Sequence, residues 1–109
     1  MNTNLEKYFD SKGPLAARLS QFEERKGQSR MAEAVAKAFQ QKSLLIVEAG
    51  TGTGKTLAYL IPALLSGLKV VVSTGTKNLQ EQIYFKDIPL IASIVPSSFR
   101  TCLMKGRNN

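Results

Sequence analysis

Leu44-Leu45-Ile46-Val47-Glu48-Ala49-Gly50-Thr51-Gly52-Thr53-Gly54-Lys55-Thr56 joins an apolar run to a loop with three glycines at every second position. The first four residues are continuously apolar, with a β-branched end. Such a run suits a short strand buried on both faces. The glycines then clear side chains from a curve of backbone, and they tolerate positive φ. Converging backbone N–H groups of this kind cradle phosphate oxygens. Counted back from Gly54-Lys55-Thr56, residues 49–56 fit the phosphate-loop pattern, with Ala49 where a glycine more often stands. In that pattern Lys55 reaches the β- and γ-phosphates, and Thr56 places its hydroxyl on Mg²⁺. The helix expected from Lys55 to about Leu65 adds its N-terminal dipole to the same site. A dinucleotide fingerprint does not fit, because the place three residues beyond Gly52 holds Lys55 rather than glycine.

Working outward, Pro62 falls inside that helix and should bend it, and Ser66-Gly67 should end it. Lys69-Val70-Val71-Val72-Ser73 reads as a second buried strand. Strand, loop, helix and strand in this order make a βαβ unit. Thr76 is placed to cap a helix over about Lys77–Phe85, Asp87 to cap another through about Val95, and Arg100–Met104 suits a third strand. Upstream, Met31, Ala34, Val35, Ala38 and Phe39 recur with helical spacing and predict an amphipathic helix whose stripe packs in the core. Residues 1–20 predict one or two short helices broken at Gly13-Pro14, with Pro14 suited to a first helical turn. The fold class expected is α/β: an incomplete three-layer domain with a mostly parallel sheet and flanking helices.

The chain has 109 residues, enough for one domain with a modest core. Its apolar run Leu57–Leu65 is too short to span a bilayer. No basic-then-apolar leader follows Met1, so a cytoplasmic location without membrane contact is expected. The charge of +7 favours polyanionic partners or simply solubility, and the basic residues are spread out rather than gathered in one run. The lone cysteine, Cys102, excludes an internal disulfide. The lack of histidine excludes Ser-His and Cys-His nucleophile pairs and histidine-ligated zinc within these residues.

Hydrolysis by a phosphate-loop enzyme also needs a carboxylate on a later strand to hold Mg²⁺ and orient water. The carboxylates here are Glu6, Asp10, Glu23, Glu24, Glu33, Glu48, Glu81 and Asp87. None ends an apolar strand downstream of the loop, and no arginine finger is assignable. The chain alone is therefore expected to bind ATP without turning it over usefully.

Residues 48–59 resemble the first motor motif of superfamily 2 helicases, where alanine often opens the loop. Ser73-Thr74-Gly75-Thr76-Lys77-Asn78-Leu79-Gln80-Glu81-Gln82 and Lys86-Asp87-Ile88-Pro89 resemble more narrowly the DinG/YoaA branch of the XPD-like iron–sulfur DNA helicases. Arg25-Lys26-Gly27-Gln28 with Met31-Ala32 resembles that branch's adenine-recognising segment. Met104-Lys105-Gly106-Arg107-Asn108-Asn109 resembles the residues just before its first cluster cysteine. The resemblance implies a partial RecA-like phosphate-loop domain over 22–109, truncated just before the iron–sulfur insertion, after an N-terminal helical segment over 1–21.

The resemblance also implies roles. Gln28 and Arg25 would recognise adenine. Ala49, Gly50, Thr51, Gly52, Thr53, Gly54, Lys55 and Thr56 would hold the phosphates of ATP and its Mg²⁺. Thr74, Thr76, Gln82 and Arg107, with Lys105 beside it, would lie along single-stranded DNA. Local alternatives are a solvated helix-start Gln28, Thr76 as a helix cap and an exposed Gln82. The family's 4Fe–4S cluster would need cysteines that this chain lacks, and Cys102 suits a small apolar position. The parent implied is a 5′-to-3′ ATP-dependent DNA helicase, of which this fragment alone would not unwind DNA. Two other readings remain: a phosphate-loop ATPase or nucleotide kinase that does not use DNA, and a non-catalytic basic module that binds nucleic acid by charge.

Overall fold

The computed structural model describes residues 5–19, 26–48, 54–96 and 98–105. The described elements are helical. Helices α1 (Glu6–Phe9) and α2 (Pro14–Arg18) form the two short N-terminal turns, with Pro14 in the first turn of α2. Gly13 is buried between them. A Cβ there would collide with the Lys7 carbonyl oxygen, so only glycine permits this approach.

Helix α3 (Lys26–Gln41) packs along α4 (Lys55–Leu65). The end of α3 closes through Lys42 at φ 54°, and the Ser43 N–H donates to the Ala38 carbonyl at 3.0 Å. That is the left-handed closure usually given to glycine or asparagine. The expected bounds of α4 are met, and Pro62 lies inside it, fully buried with Ala58, Leu60, Ile61 and Ala63 beside it. The stripe Met31, Ala34, Val35, Ala38 and Phe39 is only half-buried. The most deeply buried positions of α3 are Gln28 and Ala32, one turn apart. The face pressed into the core is thus rotated away from the most apolar stripe.

Thr76 caps α5 (Lys77–Gln82), its hydroxyl accepting from the Leu79 N–H at 3.3 Å. Asp87 does not start a separate helix. Helix α5 runs on through a π-helical turn, Ile83–Asp87, into α6 (Ile88–Ala92), and the Ile88 N–H reaches back to the Ile83 carbonyl. Pro89 supplies the physical reason. A proline ring in a regular helix clashes with the carbonyl four residues earlier and removes a donor, and a widened turn ahead of it relieves both.

The core gathers Leu5, Tyr8, Phe9, Leu15, Ala32, Leu60, Ile61, Ile83, Ile91 and Val95. The N-terminal turns therefore share one apolar cluster with α3, α4 and the 77–92 helix.

The α/β expectation is overturned. Among the described residues there is no strand and no sheet, so neither the mostly parallel sheet nor the partial RecA-like layering is present. Residues 44–47, 70–73 and 100–104 carry no ladder pairing. The reason lies in their cover. Leu44 and Ile46 are 89% and 86% exposed, while Leu45 and Val47 are 40% and 41% exposed. Val71 and Val72 repeat the contrast at 88% and 40%. One row of side chains is half covered and the other faces water, whereas a parallel strand needs hydrogen-bonded neighbours and cover on both faces. The β-branched pattern sets a preference, and tertiary context decides whether it is used.

Candidate nucleotide site

Of the phosphate-loop residues, Gly54, Lys55 and Thr56 are described, while Ala49, Gly50, Thr51, Gly52 and Thr53 lie outside the described residues, as do Arg25 and Arg107. Gly54 stands at the head of α4 with φ 70° and ψ 37°, in the left-handed region. This conformation turns the chain sharply into the helix, and glycine adopts it without cost. Lys55 is exposed and Thr56 half-buried in the first turn of α4. That turn carries the free N–H groups and positive dipole end that suit an anion.

Gln28 lies against this junction. It is the one buried polar side chain in the described core, 6% exposed. Its Nε2 donates to the Gly54 carbonyl at 3.4 Å. Its Oε1 is fully buried and has no hydrogen-bond partner among the described residues. A Cβ on Gly54 would collide with that same Nε2. A solvated helix-start glutamine is therefore ruled out. An orphaned buried acceptor costs about 1–3 kcal/mol, and a donor supplied by a ligand would remove that cost. The chemistry fits adenine, whose edge offers both a donor and an acceptor to a planar amide.

Tyr59 stands one turn along α4 from Thr56. Burial holds the Tyr59 phenol above its ordinary pKa, partly offset by the neighbouring Thr56 side chain, and the charge of Asp87 adds to the rise. Burial likewise raises the Asp87 carboxyl, against the lowering influence of a hydrogen bond from Gln82 and the charge of Lys86. Gln82 Nε2 donates to Asp87 Oδ2 at 3.4 Å across the π turn. No spacing pattern signals this pairing, because a regular helix would not bring residues five apart together.

The residues expected along DNA are placed less suggestively. Thr74 Oγ1 accepts from the Thr76 N–H at 3.2 Å, and Thr76 caps α5. Gln82 is exposed at the outer side of α5. Lys105 forms an ion pair with Glu81 at 3.7 Å, and Gln80 Nε2 donates to the Met104 carbonyl at 2.9 Å. These two contacts tie the segment after residue 100 to α5. Cys102 is exposed and not a small core residue. A 4Fe–4S cluster needs four thiolates or their equivalents, and one cysteine does not fit that group. Among the described residues no helix is long and apolar enough to cross a membrane, and no acidic, cysteine or histidine group is arranged to hold a metal ion.

The described junction, a glycine-turned helix start with an exposed lysine abutted by a buried glutamine, is compatible with a phosphate-loop nucleotide-binding class of protein. Comparison with known proteins narrows it. The family described as DEAD/DEAH box helicase matches residues 25–102, and the chain belongs to that family. It is 48% identical over 101 residues to the ATP-dependent DNA helicase YoaA of Haemophilus influenzae, covering 93% of this chain and 16% of that protein. It is 48% identical over 93 residues to the ATP-dependent helicase DinG of Mycobacterium tuberculosis, covering 78% of this chain and 14% of that one. A 3'-5' exonuclease DinG of Bacillus subtilis is 38% identical over 92 residues, covering 81% of this chain and 10% of the relative. The resemblance to DinG and YoaA is thus borne out, and the chain spans about a sixth or less of the length of these relatives. No solved structure matches.

Proposed function

We propose that this chain is the ATP-binding part of an ATP-dependent DNA helicase that moves along single-stranded DNA in the 5′-to-3′ direction. The observation that supports it best is the buried Gln28, tied to the Gly54 carbonyl with its own carbonyl oxygen unsatisfied among the described residues. A glutamine held there links base recognition to the loop that holds phosphates.

In this reading Gln28, with Arg25, holds the adenine edge. Backbone N–H groups of residues 49–54 and the first turn of α4 hold the phosphates, and the Lys55 ammonium neutralises the β- and γ-oxygens. The Thr56 hydroxyl is the ligand this chain offers to Mg²⁺. Mg²⁺ held there with ATP would supply positive charge against the charge developing on the phosphate oxygens. The water-orienting carboxylate and arginine finger belong to the remaining length of the parent, as does any iron–sulfur cluster. Residues 1–21 form a helical lead-in and 22–109 the start of the first motor domain. Thr74, Thr76, Gln82 and Arg107 lie along the DNA backbone, where hydroxyl, amide and guanidinium groups bind phosphate without reading sequence. The protein works in the cytoplasm.

ATP hydrolysis by the parent protein, measured with and without single-stranded DNA, tests this reading. Strong stimulation by DNA is expected. Hydrolysis indifferent to DNA would instead favour a phosphate-loop ATPase of another kind.

A further inference from the structure

A cavity of about 460 Å³ lies between the turn joining α1 to α2 and the residues that follow α6. Its volume is that of a small-ligand cleft, for which about 300–1,000 Å³ is usual. Tyr8 and Gly13 form its buried wall, with Pro14 and Ile94 half-buried beside them. Backbone contacts fix that wall. The Gly13 N–H donates to the Asp10 carbonyl at 3.0 Å, and a Cβ on Gly13 would collide with the Lys7 carbonyl oxygen. Pro14 locks its own φ, and the Ile94 N–H donates to the Ile91 carbonyl at 3.0 Å.

Lys7 and Lys12 are exposed and line the same cavity, and neither forms an ion pair among the described residues. Lys7 Nζ stands 5.3 Å from the Tyr8 ring centroid, which draws the ammonium toward the wall. Asp10 is the one carboxylate at the cavity, and its Oδ1 already accepts from the Lys12 N–H at 3.0 Å. Two ammonium groups beside an apolar wall suit an anion that also carries a flat, weakly polar face. A nucleotide unit of single-stranded DNA has both parts.

We propose that this cavity is an accessory single-stranded DNA site, where Lys7 and Lys12 hold backbone phosphate and Pro14 and Ile94 support the attached nucleoside. It rests on the DNA-helicase reading above, but its two cations lie outside residues 25–102, which the helicase family covers. Lysine meets phosphate as a point charge, so the site takes any base sequence.

The test is binding of fluorescein-labelled oligothymidylate to the whole parent protein, followed by anisotropy over a range of salt. Lys7→Gln together with Lys12→Gln removes two phosphate contacts. Each single-strand contact adds about 0.7 to the steepness of log affinity against log salt, so the slope should flatten by about 1.4. At ~0.1 M salt the same counterion release gives a loss of roughly five-fold per contact. Lys37→Gln together with Lys69→Gln removes equal charge from exposed residues that do not line the cavity, and should leave the slope in place. An unchanged slope in the Lys7 and Lys12 variant overturns the proposal while leaving DNA binding intact. If that variant instead loses affinity for polyglutamate alone, the cavity serves an acidic peptide and the proposal is again overturned. An equal flattening in both double variants also overturns it, since net charge would then account for the effect. If the parent protein binds no single-stranded DNA, the helicase reading itself fails, and this inference with it.

Discussion

Gly54→Ala probes the junction on which the candidate site depends. Gly54 holds φ 70°, where a side chain costs about 1–2 kcal/mol. An added methyl would also collide with Gln28 Nε2 and approach Gln28 Cδ to 2.8 Å. Gln28 is 6% exposed, so its amide has little room to swing aside, and displacing it breaks the bond to the Gly54 carbonyl. That bond is worth about 0.5–1.5 kcal/mol. The smaller unfolded-state entropy of alanine returns about 0.4–1 kcal/mol. The net loss is about 0.5–3 kcal/mol, a fall in Tm of roughly 2–24 °C for a domain near this size. Melting of the parent, Gly54→Ala, Gln28→Ala and the double variant, followed by circular dichroism, separates the two causes. With Gln28 cut back, only the backbone cost remains, so Gly54→Ala should cost about 1 kcal/mol less there. An equal cost in both backgrounds would refute the claim that Gln28 is seated against Gly54.

Three further outcomes follow from the same structure. Lys42→Gly relieves the left-handed residue that ends α3 and should raise stability by about 0.5–1 kcal/mol, seen as a higher Tm. Gly13→Ala drives a methyl into the Lys7 carbonyl, which is backbone and cannot turn away, and should cost about 1–3 kcal/mol in a denaturant melt. Asp87 carries a pKa raised mainly by burial, so its stabilising contribution is full below the ordinary aspartate value of about 3.9 and is lost as pH rises through the higher folded value. Asp87→Asn should therefore raise Tm at neutral pH, and the gain should shrink toward pH ~4; a gain independent of pH would contradict the assigned shift.

The helices were legible in the sequence because their punctuation is local. Pro14, Ser66-Gly67 and Thr76 each act within one turn of the chain, and α2, α4 and α5 begin or end where these residues demand. The strands were not, since extended chain becomes sheet only through partners elsewhere. Leu44–Val47 and Val70–Ser73 have the composition of buried strands but have no pairing strand among the described residues, and all of them but Val70 stay exposed. The π turn escaped notice for a related reason: Pro89 signals a helix start as readily as a widened turn.

The site divides in the same way. The glycines, Lys55 and Thr56 announce phosphate chemistry through residue type and spacing. The Gln28–Gly54 contact joins residues 26 positions apart and could not be read from a local pattern. One signal was available: a glutamine one turn before Ala32, on the face of α3 that the structure buries. The Gln82–Asp87 contact depends on helix register through the π turn, which no spacing rule supplied.

The central claim is that a nucleoside triphosphate binds at the head of α4 with Lys55 on its phosphates. Equilibrium binding of ATP to the parent protein and to Lys55→Ala measures it directly. Removal of a charge-assisted contact worth about 1.5–3 kcal/mol should weaken ATP at least roughly ten-fold while leaving the melting curve of the nucleotide-free protein in place. ATP affinity unchanged by Lys55→Ala would contradict the account.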